Sequence, residues 1–275
     1  MIRNATSQDL PALSDLAGAV FGDSAAFCRL AFETLAGVEN IWLDEENDVP
    51  VSMALAVPVT LGEKPGAYLY MLATAAQYRS GGRMTAMLEH LKQVGRQCGW
   101  VFLCLLPASD SLFDFYAARG FETAFYRQEY TVPIRRNLLA TAEFDDITIA
   151  MLPALRQKLC RTPAVTLHKN GLIAMLTDYY SAGGCTVRTE NAYGFYRVKD
   201  GELCFDEFFA RDEQAANALL QACREKTGCT TARILTNDGG LSCYGNGRRR
   251  PYGMWCLLNS TPPVREGYIG MMLDI

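Results

Sequence analysis

The residues best suited to chemistry lie at 72–84, where an apolar stretch ends and a loop carrying Arg79, Gly81 and Gly82 leads into an amphipathic segment. The segment has apolar residues at helical spacing: Met84, Met87, Leu88, Leu91 and Val94. A glycine-bearing loop at a helix N-terminus can hold phosphate, because free backbone N–H groups and the helix dipole converge there and glycine lets an anion approach. The pattern therefore predicts a site for a pyrophosphate-bearing cofactor.

The elements around this loop must position it. Residues 1–132 predict, in order, two helices, three strands, a helix, a strand, a helix and a strand. The strand before the loop spans 68–74, and the helix after it ends at Gly99. The apolar run 100–106 predicts a buried strand, and a helix from Ser109 to residue 118 follows it.

The pattern partly repeats after a connection at 132–145. Helices are predicted at 152–159, 167–180 and 212–226, the last ended by Gly228, with strands at 185–189, 193–198, 203–210 and 230–235 and a hairpin turn at Asp200-Gly201. The strand-to-helix junction at 210–213 has no glycine and places Asp212 and Glu213 where an anion would need donors. If the halves are a duplication, only the first keeps a nucleotide site, which predicts domains at 1–135 and 145–275.

Composition excludes several classes of protein. The 275 residues are 49% hydrophobic and 20% charged, typical of a globular protein, and the net charge of -4 argues against nucleic acid as the main partner. No apolar run approaches the roughly 20 residues that span a bilayer, and no signal peptide is evident. The ten cysteines form no C-x-x-C pair, and with two histidines no metal site is predicted. A cytoplasmic protein with reduced thiols is the prediction.

Three further features have plain structural interpretations. His90 falls on the polar side of its helix and is predicted to be exposed. The run 248–250, three arginines among glycines, predicts a solvated turn and not an anion site. The acidic run 44–48 predicts the solvated tip of a hairpin.

The segments 72–88, 100–106 and 115–122 resemble the GCN5-related N-acetyltransferases (GNAT), most closely the tandem, enhanced-intracellular-survival type. The family signature Q/R-x-x-G-x-G/A falls on Arg79, Gly82 and Met84, with Met84 in place of the second glycine, as in a G-x-M-T run of the survival-type branch. Ser109 stands where many members have Asn, and Ala76 where Pro is common. The resemblance is good over 1–132 and looser over 145–258.

The resemblance implies a mixed α/β (α+β) fold of two tandem GNAT-like domains, each a mostly antiparallel twisted sheet flanked by helices. It also implies acetyl transfer from acetyl-CoA, as co-substrate, to an amine. The family's cofactor positions correspond to Leu72, Ala73 and Thr74 for the pantetheine arm, to Arg79, Ser80, Gly81, Gly82, Arg83 and Met84 around the pyrophosphate, and to Ser109.

Two catalytic positions are implied by the same resemblance. Tyr116 matches the family's tyrosine general acid. The C-terminal carboxylate, here that of Ile275, is often implicated as the base in survival-type members, and water-mediated deprotonation is the alternative. Those members usually continue into a sterol-carrier-like domain, for which residues 1–275 show no counterpart.

Function is therefore predicted as an N-acetyltransferase acting on an amine of a small molecule or peptide, without nucleic acid or membrane partners. The second domain would wall the acceptor site or take part in a homo-oligomer. The alternative is a non-catalytic protein that binds acyl-CoA and responds to it, or, further off, an assembly module.

Overall fold

The computed structural model describes residues 1–237, 241–259, 262, 264 and 266–270. Its α-helices are α1 (Leu10–Phe21), α2 (Ala25–Arg29), α3 (Arg83–Gln97), α4 (Asp110–Ala117), α5 (Leu152–Leu159), α6 (Lys169–Ser181) and α7 (Glu213–Thr227). Its strands are β1 (Ile2–Asn4), β2 (Ile41–Glu46), β3 (Val49–Leu61), β4 (Lys64–Thr74), β5 (Phe102–Leu105), β6 (Glu122–Pro133), β7 (Glu143–Phe144), β8 (Val165–Leu167), β9 (Cys185–Arg188), β10 (Ala192–Lys199), β11 (Glu202–Ala210), β12 (Thr231–Asn237) and β13 (Arg248–Leu257). The predicted mixed α/β class, with mostly antiparallel strands flanked by helices, is confirmed.

The chain forms two compact units, each built from several stretches of sequence. Unit 1 contains Met1–Thr123, Thr166–Met175 and the described part of Gly253–Arg265. Unit 2 contains Ala124–Val165, Leu176–Tyr252 and the described part of Glu266–Ile275. The division into 1–135 and 145–275 assumes that each domain is contiguous, and it stays a prediction.

The sheet of unit 1 has the strand order β1-β2-β3-β4-β5-β13, in which β13 contributes residues 254–257. All neighbouring strands are antiparallel except β4 and β5, which are parallel. The apolar face predicted for α3 covers this sheet, with Met87, Leu88 and Leu91 fully buried in a cluster that includes Leu103. Helix α3 therefore packs against β4 and β5, the strands that precede and follow it in the chain.

The sheet of unit 2 has the order β7-β9-β10-β11-β12-β6, again with one parallel pair, β11 and β12. Helix α7 buries Ala216, Leu219 and Cys223 against it. The predicted turn between β10 and β11 is present, and Asp200 and Gly201 both have positive φ, at 53° and 78°. The two sheets share one pattern of strand directions, which is compatible with the predicted tandem organisation.

Most predicted elements form, with a few differences. The prediction of a solvated turn at 248–250 is wrong, because these residues begin β13; Arg249 stacks 3.4 Å from the ring centroid of Tyr126, and Arg250 lies 3.0 Å from Glu129. Strands β1, β7 and β8, each two or three residues long, were not predicted. The ten cysteines are all free thiols. Among the described residues, no helix is long and apolar enough to cross a membrane.

Candidate active site

Strands β4 and β5 pair over a short distance and then part. Their register partners are Gly66 with Phe102, Ala67 with Leu103, and Tyr68 with Cys104, whereas β4 continues to Thr74. The edge of β4 that faces away from β3 therefore has no neighbouring strand at residues 72–74 within the part of the chain that the structure describes. Unpaired strand edges offer backbone groups to an added strand or an extended ligand.

A β-bulge bends β4 where it departs from β5. Leu55 on β3 pairs with Tyr70, but Met53 pairs with Ala73, so β4 carries one extra residue in between. Met71 in this bulge has a φ of 47°, which is uncommon for a residue with a side chain. Bulges bend the strand that carries them and increase its twist, which accounts for the divergence from β5.

The end of β4 is fixed on its other side by Ser52. Its hydroxyl donates to the Ala73 carbonyl at 2.8 Å and lies 3.0 Å from the Thr74 hydroxyl. Arg79, an exposed residue of the following loop, donates from Nε to the Thr74 carbonyl at 3.1 Å. The loop is thus tied back to the strand from which it emerges.

The predicted phosphate loop ends in an open helix N-terminus. Gly82 is the N-cap of α3 with φ 78°, and no side chain of the described residues caps the helix. A Cβ added at Gly82 would meet no atom of the described residues within 4 Å, so there is open space at this position. Ser80 also has a positive φ, at 65°. The first amides of α3 are therefore available to an anion, as a pyrophosphate requires.

Arg83 is the first residue of α3, and its charge is already engaged. Its guanidinium donates to Asp44 Oδ2 at 2.8 Å, forms an ion pair with Glu46 and lies 5.0 Å from the ring centroid of Tyr78. Burial opposes ionisation of Asp44, but hydrogen bonds from Arg83 and the N-terminal ammonium lower its pKa. The predicted solvated tip is present at residues 47–48, which are exposed between β2 and β3, but Asp44 does not belong to it, because it is buried and paired next to the loop.

The corresponding junction of unit 2 is closed. Asp212 is the N-cap of α7, and its carboxylate accepts from the Ala215 amide at 2.9 Å. Beyond the last β11–β12 pair, Phe205 with Ile234, the Thr236 hydroxyl donates to the Phe208 carbonyl at 2.7 Å. In unit 2 the side chain of Asp212 therefore occupies the helix N-terminus and that of Thr236 bridges the two strands. The described residues of unit 1 leave the helix N-terminus and the gap between the strands open.

Tyr116 lies in α4 and belongs to the same apolar cluster as Leu69 and Leu105, which flank the parting of β4 and β5. It is 7% exposed, and its ring makes edge contacts with Phe115 and Phe121. Its hydroxyl has no hydrogen-bond partner among the described residues. Burial raises the pKa of Tyr116 to about 12, against the opposing charge of Arg119. The hydroxyl therefore keeps its proton at neutral pH, as a general acid requires.

The other predicted site residues are less informative. Ser109 is the exposed N-cap of α4, with its hydroxyl 3.0 Å from that of Ser111 and no capping bond to the helix. Ile275 lies outside the described residues. Among those described, no group of three or more His, Cys, Asp or Glu side chains is arranged to hold a metal ion.

Two features of this region were missed or misjudged from sequence. His90 was predicted to be exposed, but it is not. Its ring lies 4.6 Å from that of Trp42, and its buried Nε2 has no partner among the described residues. Helix α3 lies over β2, so part of its polar side is covered. Arg119, which bonds to Thr85 of α3, was also missed. Only its position three residues after Tyr116, in the turn that follows α4, could have indicated it.

Residues 1–124 match the family model described as an acetyltransferase (GNAT) domain. Among solved structures, a protein of Enterococcus faecalis V583 described as a probable N-acyltransferase is similar over 94% of this chain and 72% of its own, at 15% identity and a TM-score of 0.75. A GCN5-related N-acetyltransferase from Kribbella flavida is similar over 94% and 70%, at 16% identity and a TM-score of 0.73. Eis1 from Mycobacterium abscessus is similar over 94% and 74%, at 12% identity and a TM-score of 0.73. No curated protein matches the sequence.

Proposed function

We propose that this protein, whose residues 1–124 match the model of a GNAT acetyltransferase domain, transfers an acetyl group from acetyl-CoA to a primary amine of a small molecule or peptide. The observation that carries the proposal is the junction between β4 and α3. Among the described residues, no strand borders this edge of β4 at residues 72–74, and no side chain caps the helix N-terminus that follows.

The chain's residues fit acetyl-CoA in two places. The backbone amides at Ser80–Met84 would bind the pyrophosphate, because the first turn of α3 offers N–H groups and a positive dipole end. The backbone of Leu72, Ala73 and Thr74 would pair with the amide groups of the pantetheine arm, as an added strand does. Arg83 would keep Asp44 and Glu46 neutralised beside the phosphates.

Acetyl-CoA would supply the acetyl group as a thioester, which an amine nitrogen can attack directly. Tyr116 would donate its hydroxyl proton to the departing sulfur, for which its raised pKa of about 12 keeps the proton available. The ammonium group of the acceptor loses one proton to a base or water before it attacks, and the C–N bond then forms as the C–S bond breaks. The proton that nitrogen loses as the amide forms passes through water to Tyr116, so CoA leaves as the thiol and the phenol is restored.

The test is acetyl-CoA binding by calorimetry to the wild type, Gly82→Glu and Gly82→Ala. Both variants place a side chain at a φ of 78° and share that strain, but only Glu adds negative charge where the pyrophosphate should lie. We expect the Glu variant to bind at least about tenfold more weakly than the Ala variant, the effect of about 1.4 kcal/mol. Equal binding by the two variants, or none by the wild type, would contradict the proposal.

A screen of amine acceptors follows if binding is found. Because Cys98 and Cys243 are exposed free thiols, released CoA should be measured by chromatography and not with a thiol reagent. Binding without CoA release from any amine would favour the acyl-CoA-responsive binding protein over the enzyme.

A further inference from the structure

The side chain of Arg119 connects the two helices on which the proposed chemistry depends. Its Nε donates to the Thr85 hydroxyl at 2.8 Å, and its Nη1 donates to the Phe115 carbonyl at 2.6 Å. The guanidinium also lies 3.5 Å from the ring centroid of Phe115. Because the one guanidinium is hydrogen-bonded to both α3 and α4, a movement of either helix must displace the other or break these bonds.

On the α3 side, the contact falls in the first turn. Gly82 is the N-cap, so Thr85 is the third residue of the helix and lies directly behind the amides that face the phosphate loop. Any adjustment of that turn to a bound pyrophosphate would displace the Thr85 hydroxyl. The hydrogen bond from Arg119 Nε to this hydroxyl would be the first contact to change.

On the α4 side, the contact falls at the turn that holds Tyr116. The Tyr116 carbonyl accepts from the amides of Arg119 and Phe121, at 2.9 and 3.1 Å. Lys92 of α3, which is paired with Glu89, donates to the Arg119 carbonyl at 2.6 Å. The backbone around Tyr116 is therefore fixed by cations from both sides.

We propose that Arg119 is a positioning residue that couples the occupancy of the phosphate loop to the placement of the Tyr116 hydroxyl. This rests on the proposed function, since it assumes a pyrophosphate at the loop and Tyr116 as the acid. The physical reason is geometric: a bidentate guanidinium allows little freedom between its partners, and a misplacement of about 1 Å can cost about 100-fold in rate. The simpler alternative is that Arg119 only stabilises the end of α4, as cations at helix C-termini commonly do.

Epistasis with Tyr116 distinguishes the two roles. Arg119→Met and Thr85→Val would each be made in the wild type and in Tyr116→Phe. The control is Arg96→Met, which replaces an exposed arginine of α3, the helix that carries Thr85. We expect Arg119→Met and Thr85→Val each to lower kcat about tenfold, with KM for acetyl-CoA within about twofold of wild type. This loss of kcat is smaller than the 10²- to 10⁴-fold that a general acid contributes to the rate. In the Tyr116→Phe background the same substitutions should change kcat less than about twofold, because the group they position is gone.

A second readout needs no turnover. In protein with ¹³C-labelled tyrosine, the Tyr116 signal is identified by its loss in Tyr116→Phe and followed while a ligand is added. The ligand for this comparison is the 3′-phospho-ADP part of CoA, which carries the pyrophosphate but has no thiol that could reach Tyr116. We expect 3′-phospho-ADP to shift this signal in the wild type and in Arg96→Met but not in Arg119→Met or Thr85→Val, with its affinity by calorimetry kept within about threefold in all four, well under the tenfold that 1.4 kcal/mol represents.

Three results would overturn the proposal. A tenfold loss from Arg119→Met that persists in the Tyr116→Phe background would make Arg119 purely structural while leaving the proposed enzyme intact. A Tyr116 signal that still shifts with 3′-phospho-ADP in both coupling variants would also reject the coupling alone. Failure of the wild type to bind acetyl-CoA or CoA would instead remove the proposed function, and the coupling with it.

Discussion

Arg156 of α5 and Glu207 of β11 form an ion pair at 2.8 Å whose side chains are 4% and 0% exposed. The Glu207 carboxylate also accepts from the hydroxyls of Tyr193, at 2.7 Å, and Tyr268, at 3.0 Å, and Arg156 donates to the Gly270 carbonyl. A buried charge pair is tolerated only when its hydrogen-bonding capacity is filled in this way. The network joins α5, β10 and β11 to the segment around Tyr268, all within unit 2.

Removing one member of this pair should therefore destabilise the protein strongly. We expect Arg156→Met to lower the free energy of unfolding by about 3–5 kcal/mol, because Glu207 is left charged in a buried site. The double variant Arg156→Met/Glu207→Gln should lose less than the sum of the single variants, since no unpaired charge remains. Urea unfolding measures both.

The matched control is Arg250→Met, which breaks the half-exposed pair with Glu129. It should cost less than about 1 kcal/mol, as exposed ion pairs usually do. Additive losses in the Arg156 and Glu207 variants would show that the two side chains do not act as a pair.

Tyr116→Phe should separate catalysis from stability. We expect kcat to fall by about 10²- to 10⁴-fold if the hydroxyl is the general acid. The melting temperature should hardly change, because the hydroxyl has no partner among the described residues and both rings pack alike. With a pKa of about 12, Tyr116 should also impose no loss of kcat between pH 6 and about pH 10. Steady-state kinetics over pH, with thermal melting of the same samples, tests all three points; full turnover in the variant would remove Tyr116 from the mechanism.

His90 predicts a dependence of stability on pH. Burial lowers the pKa of His90 in the folded protein below its ordinary value of about 6.5. At a pH between these two pKa values, the unfolded chain therefore binds more protons than the folded protein does. The contribution of His90 to the free energy of unfolding should therefore decrease as the pH falls below about 6.5, its ordinary value. His90→Phe, which keeps a ring against Trp42, should abolish this part of the dependence.

The measurement is the difference in free energy of unfolding between His90→Phe and the wild type at pH 8 and pH 5. We expect the variant to gain relative to the wild type at the lower pH. A difference that does not change with pH would mean that His90 titrates normally in the folded protein.

Local signals accounted for most elements. The apolar spacing of α3, the glycine that ends α7 at Gly228, with φ 78°, and the Asp200-Gly201 turn are all decided by residues close together in sequence. Prediction was poorest where distant pairing decides. The arginines at 248–250 carry no strand signal of their own, and pairing with strands far away in the sequence is what makes β13 a strand.

The candidate site divides in the same way. The sequence by itself determined the strand, glycine loop and helix around Gly82, because backbone conformation and hydrophobic periodicity act over a few residues. Only the tertiary structure decided that β4 parts from β5 beyond Tyr68, that Asp44 pairs with Arg83, and that His90 is covered by Trp42. It also joined Arg119 to Thr85, which are 34 positions apart. Such contacts depend on which faces meet after the chain has folded, and no local pattern of residue types specifies them.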